Sequence, residues 1–229
     1  MELVAHLGGA HHSDIGEVYD HGRHGHQASV ADGLDFVNTL EYDKGLPDEH
    51  LTDAVVAVSW MQQHQLLHAE TAAELVADVG ADEDAAERLL QRVRKVRWAV
   101  RELLDAAVEK RPPQDSALRE VNRALRANYV YELVPAADGV SLDHRHEGDP
   151  ISGALARLCE AIARELTQSE KDRLRICAND ECRWVFRDNS PAGRRKWCDM
   201  SSCGNRAKAA RHRERQKAKE GEVTPAELT

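Results

Sequence analysis

The sequence is short of aromatic residues: Phe, Trp and Tyr make up 4% of its 229 positions. A core must then be built mostly from Leu, Val and Ala. With heavy use of Ala, Leu, Glu and Arg, that favours helices over sheets. No apolar run comes near the roughly 18 residues that span a bilayer, so no membrane partner is expected. The opening Met1-Glu2-Leu3-Val4-Ala5-His6 has no basic stretch followed by a long apolar one, so a soluble cytoplasmic protein is expected. There are only five cysteines, and without a secretory signal their clustered pairs read as metal ligands rather than disulfides. Also missing are a nucleophile–base pair, a phosphate loop and paired carboxylates at acid–base spacing, so the chain is not read as an enzyme.

Charge is plentiful but unevenly spread. The net value is −9, yet Lys171 to Glu220 holds fifteen Lys/Arg against seven Asp/Glu, a surplus of +8, which leaves −17 on the remainder. An acidic body joined to a basic segment suggests different partners for the two, with a polyanion for the basic one. The body could also fold onto the basic segment and mask it.

Six of the twelve histidines fall in residues 1–30, a stretch read as a solvated tail. The alternative there is a second metal site with His21, His24 and His26 as ligands. Leu34 to Leu40 is a mixed segment in which Asp35 and Asn38 need hydrogen-bond partners if buried, either tying a neighbouring helix or lining a small-molecule pocket. A helix follows over 52–67. Thr71-Ala72-Ala73-Glu74 and Asp84-Ala85-Ala86-Glu87 have the form of capping boxes opening two more. Leu89, Val93, Val96, Val100, Leu103 and Ala107 make one apolar stripe on a long helix that Arg111-Pro112-Pro113 ends. Leu118, Val121 and Leu125 mark another helix, and Tyr129–Val134 with Val140–His144 predicts a β-hairpin around a Gly139 turn. Asp149-Pro150 caps a helix whose core face is Ile151, Leu155, Leu158 and Ile162, with Cys159 as a small buried hydrophobe. His64, His68, His144 and His146 have no acidic or cysteine partner at a recognisable spacing.

The most informative pattern is Cys177-x4-Cys182, fifteen residues, then Cys198-x4-Cys203. Two equal pairs suit one tetrahedral zinc, each pair wrapping the metal from a tight turn. Four protein ligands leave no open position, so the ion is read as structural, supplying folding energy to a segment too small for its own core. A hairpin joining the two cysteine turns is the simplest construction, with Trp184, Phe186 and Trp197 as its miniature core. Ser201 can cap the next helix, and Gly204 can let the backbone approach the metal. Arg194, Arg195 and Lys196, then Arg206, Lys208, Arg211, Arg213 and Arg215 on an Ala-rich helix, are the candidate nucleic-acid contacts. With four thiolates and one zinc contributing −2, this segment still keeps about +6.

The two cysteine pairs, the Trp-Val-Phe run, Arg-Lys-Trp-Cys and above all Cys203-Gly204-Asn205-Arg206 resemble the CGNR zinc finger family. The upstream region with Leu34-Asp35-Phe36-Val37-Asn38-Thr39 is similar to the ABATE domain that precedes such fingers. The resemblance implies a bacterial stress-induced transcriptional regulator with a DNA-binding finger. Its zinc ligands would be Cys177, Cys182, Cys198 and Cys203, with Arg206 and Lys208 opening the recognition helix. The expected fold is mainly α: a tail over 1–30, a helical domain with a β-hairpin over 31–170, a treble-clef-like knuckle–hairpin–helix module over 171–220, and a tail over 221–229. The helical domain would serve as a sensor of a small-molecule effector or as a homodimerisation domain. The competing reading is an adaptor whose finger binds protein or RNA without recognising duplex DNA.

Overall fold

The computed structural model describes residues 28–127, 129–136, 139–168 and 171–221. The histidine-rich stretch and its suggested second metal site fall almost entirely outside these, as do residues 222–229. The fold is mainly helical, as the composition implies, with small hairpins and a C-terminal cysteine cluster.

Several helices start where a side chain satisfies free amide groups. Ser29 and Asp32 form a reciprocal capping box at α1 (Val30–Asn38). Asp53 accepts from the Val56 amide at 2.8 Å to open α2 (Ala54–Gln63). The next two starts differ from the sequence reading. Helix α3 (Ala69–Ala81) begins at His68 with no side-chain cap, which puts Thr71 inside its first turn. Helix α4 (Glu83–Glu109) is capped by Asp82, not Asp84, through the Ala85 amide at 3.0 Å. Both shifts add helical residues that bond along the axis, which outweighs a cap at a later position. The 27 residues of α4 run about 40 Å. The helix ends at Lys110, in the left-handed conformation (φ 55°), with Arg111 folded back onto Glu102 at 2.6 and 2.9 Å. Helix α5 (Asp115–Ala124) returns along α4, and α6 (Pro150–Thr167) is capped by Asp149 with proline in its first turn.

Helices α4 and α6 carry the core. Val93, Val96, Val100 and Leu104 of the first and Leu155, Leu158 and Ile162 of the second meet Phe36, Val58 and Met61. Leu174 and Val185, from the cysteine-bearing segment, belong to the same cluster. Cys159 is fully buried on α6, and burial pushes its thiol up to about 12, with Glu120 adding to the effect.

A hairpin of β1 (Leu40–Asp43) and β2 (Leu46–Glu49) follows α1, turning on Lys44 and Gly45, both at positive φ. Its far end positions Glu49 against Arg97 in mid-α4. Arg97 donates to both Glu49 oxygens and to Thr39 Oγ1 at 2.8 Å, and Glu49 also accepts from the Leu51 amide. Burial would raise the Glu49 carboxyl, but the Arg97 hydrogen bonds outweigh it and hold the group below its ordinary value. The hairpin expected further along is β3 (Tyr129–Ala136) and β4 (Gly139–His146), paired antiparallel along their length.

His64 does have an acidic partner. Its Nδ1 lies 3.1 Å from Asp32 Oδ1, and its ring stacks on Trp60. The two residues are 32 positions apart, so only packing could join them.

Arg97→Ala would leave the Glu49 carboxylate half-buried without its main partner. The expected loss is about 2–3 kcal/mol in urea unfolding followed by far-UV circular dichroism. A change below about 0.5 kcal/mol, the size of an ordinary surface substitution, would contradict the role given to this pair.

Candidate metal centre and basic helix

The cysteine-bearing segment is built on strands β5 (Leu174–Ile176) and β6 (Val185–Arg187), paired antiparallel with Ile176 opposite Val185. This corrects the expected construction, because the hairpin encloses the first cysteine turn instead of joining the two turns. It also changes the core. Val185 and Phe186 are buried, while Trp184 and Trp197 are only half-buried. The strand turns Val185 into the helical body, and a separate miniature core is not needed.

The first cysteine turn closes through three backbone bonds. The Cys177 amide donates to Trp184 O at 2.8 Å, Cys182 to Asn179 O at 2.8 Å, and Arg183 to Asn179 O at 3.2 Å. Arg183, at φ 54°, reverses the chain into β6. The second turn is held by Asp199, which accepts from the Ser202 amide at 2.8 Å and from the Ser201 hydroxyl. Asp199 is therefore the cap, and Ser201 supports it rather than capping the helix itself. Hydrogen bonds from Ser201 and the Ser202 amide hold the Asp199 carboxyl down at about 2. Over Met200–Gly204 the backbone makes a π turn, with the Gly204 amide on Asp199 O at 3.0 Å. This wide turn carries Cys203 back toward Cys198. A Cβ at Gly204 would come within 2.7 Å of Met200 Sδ, near the end of a flexible side chain, and 3.3 Å of Trp197 Cδ1.

All four cysteine sulfurs lie within 4.8 Å of one another. Ligands of a tetrahedral zinc with bonds of about 2.3 Å sit about 3.8 Å apart. Cys182 and Cys198 Sγ are 3.7 Å apart, and Cys198 and Cys203 Sγ 3.9 Å. The cluster thus suits one zinc ion. Asn179 Nδ2 points at Cys203 Sγ from 3.5 Å, the kind of donor that orients and stabilises a ligating thiolate. Hydrogen bonding from the Cys182 and Cys198 thiols pulls Cys177 well below the usual thiol range, while Cys177 in turn pushes Cys182 and Cys198 up. Sulfurs this crowded cannot all ionise without a cation between them.

Between β6 and the second turn, buried Asp188 organises the loop. It accepts from Ser190 N and Oγ and from the Arg195 amide, at 2.6–3.0 Å. Burial opposes its charge, but these hydrogen bonds prevail and hold it near 2. Asp188 was not among the residues that the sequence singled out. The Asp-x-Ser pattern, which forms an Asx turn, was its available signal.

The segment is fastened to the body by a polar seam. Asn38 donates to Val185 O at 2.8 Å and accepts from Val185 N at 3.0 Å. Asn38 therefore ties a strand of the cysteine module, neither capping a neighbouring helix nor lining a pocket; Asp35 is exposed. Arg187 pairs with buried Glu165 at 2.9 Å, Arg101 donates to Arg183 O, and Arg183 lies over the Tyr42 ring.

Helix α7 (Asn205–Gly221) leads away from the second turn, starting with Asn205 Nδ2 on Ser201 O. Arg206, Lys208, Arg211, Arg213 and Arg215 are all exposed, as are Arg194, Arg195 and Lys196. Their positions on the helix are not equivalent. Arg206 and Arg213 border a cleft of about 490 Å³ together with Asp180, Glu181, Ala210 and Trp197. Lys208, Arg211 and Arg215, spaced i, i+3, i+7, share the opposite side of the helix. Arg195 is engaged within the module, its guanidinium over the Phe186 ring and donating to Cys198 O. Among the described residues no ion pair joins α7 to the acidic body, so masking of the helix by that body is not seen.

Four thiolates around one ion, a short hairpin and a following helix define a zinc-finger protein with a helical body attached. The chain belongs to the ABATE family, described as "Putative stress-induced transcription regulator", which matches residues 33–169. Residues 173–216 match the CGNR zinc finger. These are a regulator and a zinc-finger type, not enzyme families. No curated protein matches the chain. Among the described residues no helix is long and apolar enough to cross a membrane.

Thiol titration with an aromatic disulfide reagent at pH 8 should separate the five cysteines into two classes. Zinc-loaded native protein should react little, chelation should expose four thiols, and the fifth should appear only in denaturant. A fast-reacting Cys159 in the native state would contradict its burial.

Proposed function

We propose that the protein is a transcriptional regulator that binds duplex DNA through α7, with Cys177, Cys182, Cys198 and Cys203 holding one structural zinc. The observation that carries this reading is the uncovered side of α7: Lys208, Arg211 and Arg215 form a basic stripe on a helix held rigidly by the four-cysteine turn. An α-helix about 10–12 Å across fits the roughly 12 Å width of a major groove, and α7 carries cations along one side to meet the bordering phosphates. The closed donor set keeps no position for substrate water, so the ion's part is to fix the two turns and hence the direction of α7. Arg194 and Lys196, exposed on the loop before the second turn, would reach flanking phosphates. Arg195, already engaged with Phe186 and Cys198, would contribute less.

The division of labour follows the two family matches, with residues 31–170 as the regulatory body and 171–220 as the binding module. An apolar cavity of about 610 Å³ between α4, α5 and α6, lined by Leu103, Val121, Leu125 and Leu166, supports a sensor role for the body, since effector sites are usually concavities of this size and polarity.

Affinity of the zinc-loaded protein for random duplex DNA should fall with salt, with a log–log slope of about −0.9 per phosphate neutralised. Changing Lys208, Arg211 and Arg215 together to Ala should weaken binding and flatten that slope by about 2.7, while Arg206→Ala with Arg213→Ala should have the smaller effect. An unchanged slope in the triple variant, with zinc content intact, would remove α7 as the DNA-binding element and favour a protein or RNA partner.

A further inference from the structure

We propose that the β3–β4 hairpin is a self-association arm, and that two copies of this chain pair by packing the Tyr131–Leu133–Val140 faces of their hairpins together. The antiparallel register sets Tyr131 opposite His144, Leu133 opposite Leu142 and Pro135 opposite Val140. Residues directly opposite project to the same side of a sheet, and alternate residues share that side. These six positions therefore define one face, and none of them is Asp, Glu, Lys or Arg. The charged residues of the outer hairpin, Glu132, Asp143 and Arg145, occupy positions of the opposite face.

The apolar face is open to solvent: Tyr131 is 72% exposed, Leu133 67% and Val140 70%. These are among the most exposed large apolar residues described. The hairpin meets the body at its base, where β4 lies so close to α6 that a Cβ on Gly153 would fall 2.6 Å from His146 Cβ. None of its described residues joins the core. A two-stranded hairpin is marginal in water unless one face is covered. This arm keeps such a face largely exposed.

The chemistry of the face selects a second copy. In an interface related by a two-fold axis residue i of one copy meets residue j of the other and j meets i; only residues beside the axis face their own copy, and a charge there would be repelled by its image. A face free of Asp, Glu, Lys and Arg has no such penalty, and it offers nothing for a polyanion to grip. The three exposed side chains present on the order of 400 Å². Two copies would then cover on the order of 800 Å² before Pro135 is counted, short of the roughly 1,200 Å² of a standard specific interface, so the pairing is expected to be reversible and to grow with concentration. Packed face to face at the usual sheet spacing of about 10 Å, the hairpins would form a small four-stranded sandwich. If the DNA-binding reading holds, each particle then carries two α7 helices and meets two half-sites. The pairing itself does not depend on that reading.

The test uses the full-length zinc-loaded chain without DNA, so its outcome is separate from that of the binding experiment. Sedimentation velocity at increasing concentration should show a species of twice the 25.5 kDa chain mass. Leu133→Lys and Leu133→Glu should each sediment as the monomer with unchanged circular dichroism and zinc content. Leu133 is the middle position of its strand's face, so the proposed axis runs beside it, and an equimolar mixture of the two should regain the dimer through opposite charges. Leu46→Lys, at the equally exposed tip of the β1–β2 hairpin, should leave the dimer intact. A monomeric wild type at 100 µM, a dimer that survives both Leu133 variants, or a mixture that stays monomeric would overturn the proposal. If either Leu133 variant fails to fold, the same measurements on Val140→Lys and Val140→Glu decide between these outcomes.

Discussion

Four sulfur atoms lie within 4.8 Å of one another, and that crowding governs the C-terminal module of the molecule. Brought together as thiols, they compete for a shared proton and charge; brought together around a dication, they become a rigid crosslink between two turns. Helix α7 takes its direction from that crosslink. The π turn over Met200–Gly204 sets where α7 begins, and Asn205 fixes its first turn on Ser201. The protein spends few apolar side chains on this region because a metal does the work of a core.

The crosslinked turns do not stand alone. Leu174 and Val185 enter the same apolar cluster as α4 and α6, and Asn38 closes both polar groups of Val185. Arg187–Glu165 and Arg101–Arg183 add two further ties, each from one of the two central helices. A displacement of α4 or α6 would therefore be felt at β6 and at the first cysteine turn. This physical continuity is what a regulator needs if an event in its helical body is to reach its finger, since packed elements shift as units rather than deforming smoothly.

Much of this was legible in the sequence wherever the determinant was local. The long apolar stripe of α4, the Asp149-Pro150 start of α6 and the β3–β4 hairpin follow from residues within a turn or two of one another. The paired cysteine spacing pointed to one ion for the same reason. Less legible were two helix starts: at α4 both Asp82 and Asp84 could cap, and at α3 hydrogen bonding along the axis placed the start at His68, which makes no side-chain cap, ahead of Thr71. The β1–β2 hairpin went unread because Lys44-Gly45 is a modest turn signal and Leu46-Pro47-Asp48-Glu49 is a poor strand by composition.

The sequence by itself determined the helical class, the four-sulfur centre and the charge of α7, because each depends on the identity and spacing of near neighbours along the chain. Only the tertiary structure decided that the hairpin closes around the first cysteine turn, that Asn38 reaches Val185 across 147 positions, that Glu49 answers Arg97, and which arginines of α7 border a cleft. Those pairings are set by how whole helices pack. A buried donor takes whichever acceptor the packing delivers, and no local pattern records which one that will be.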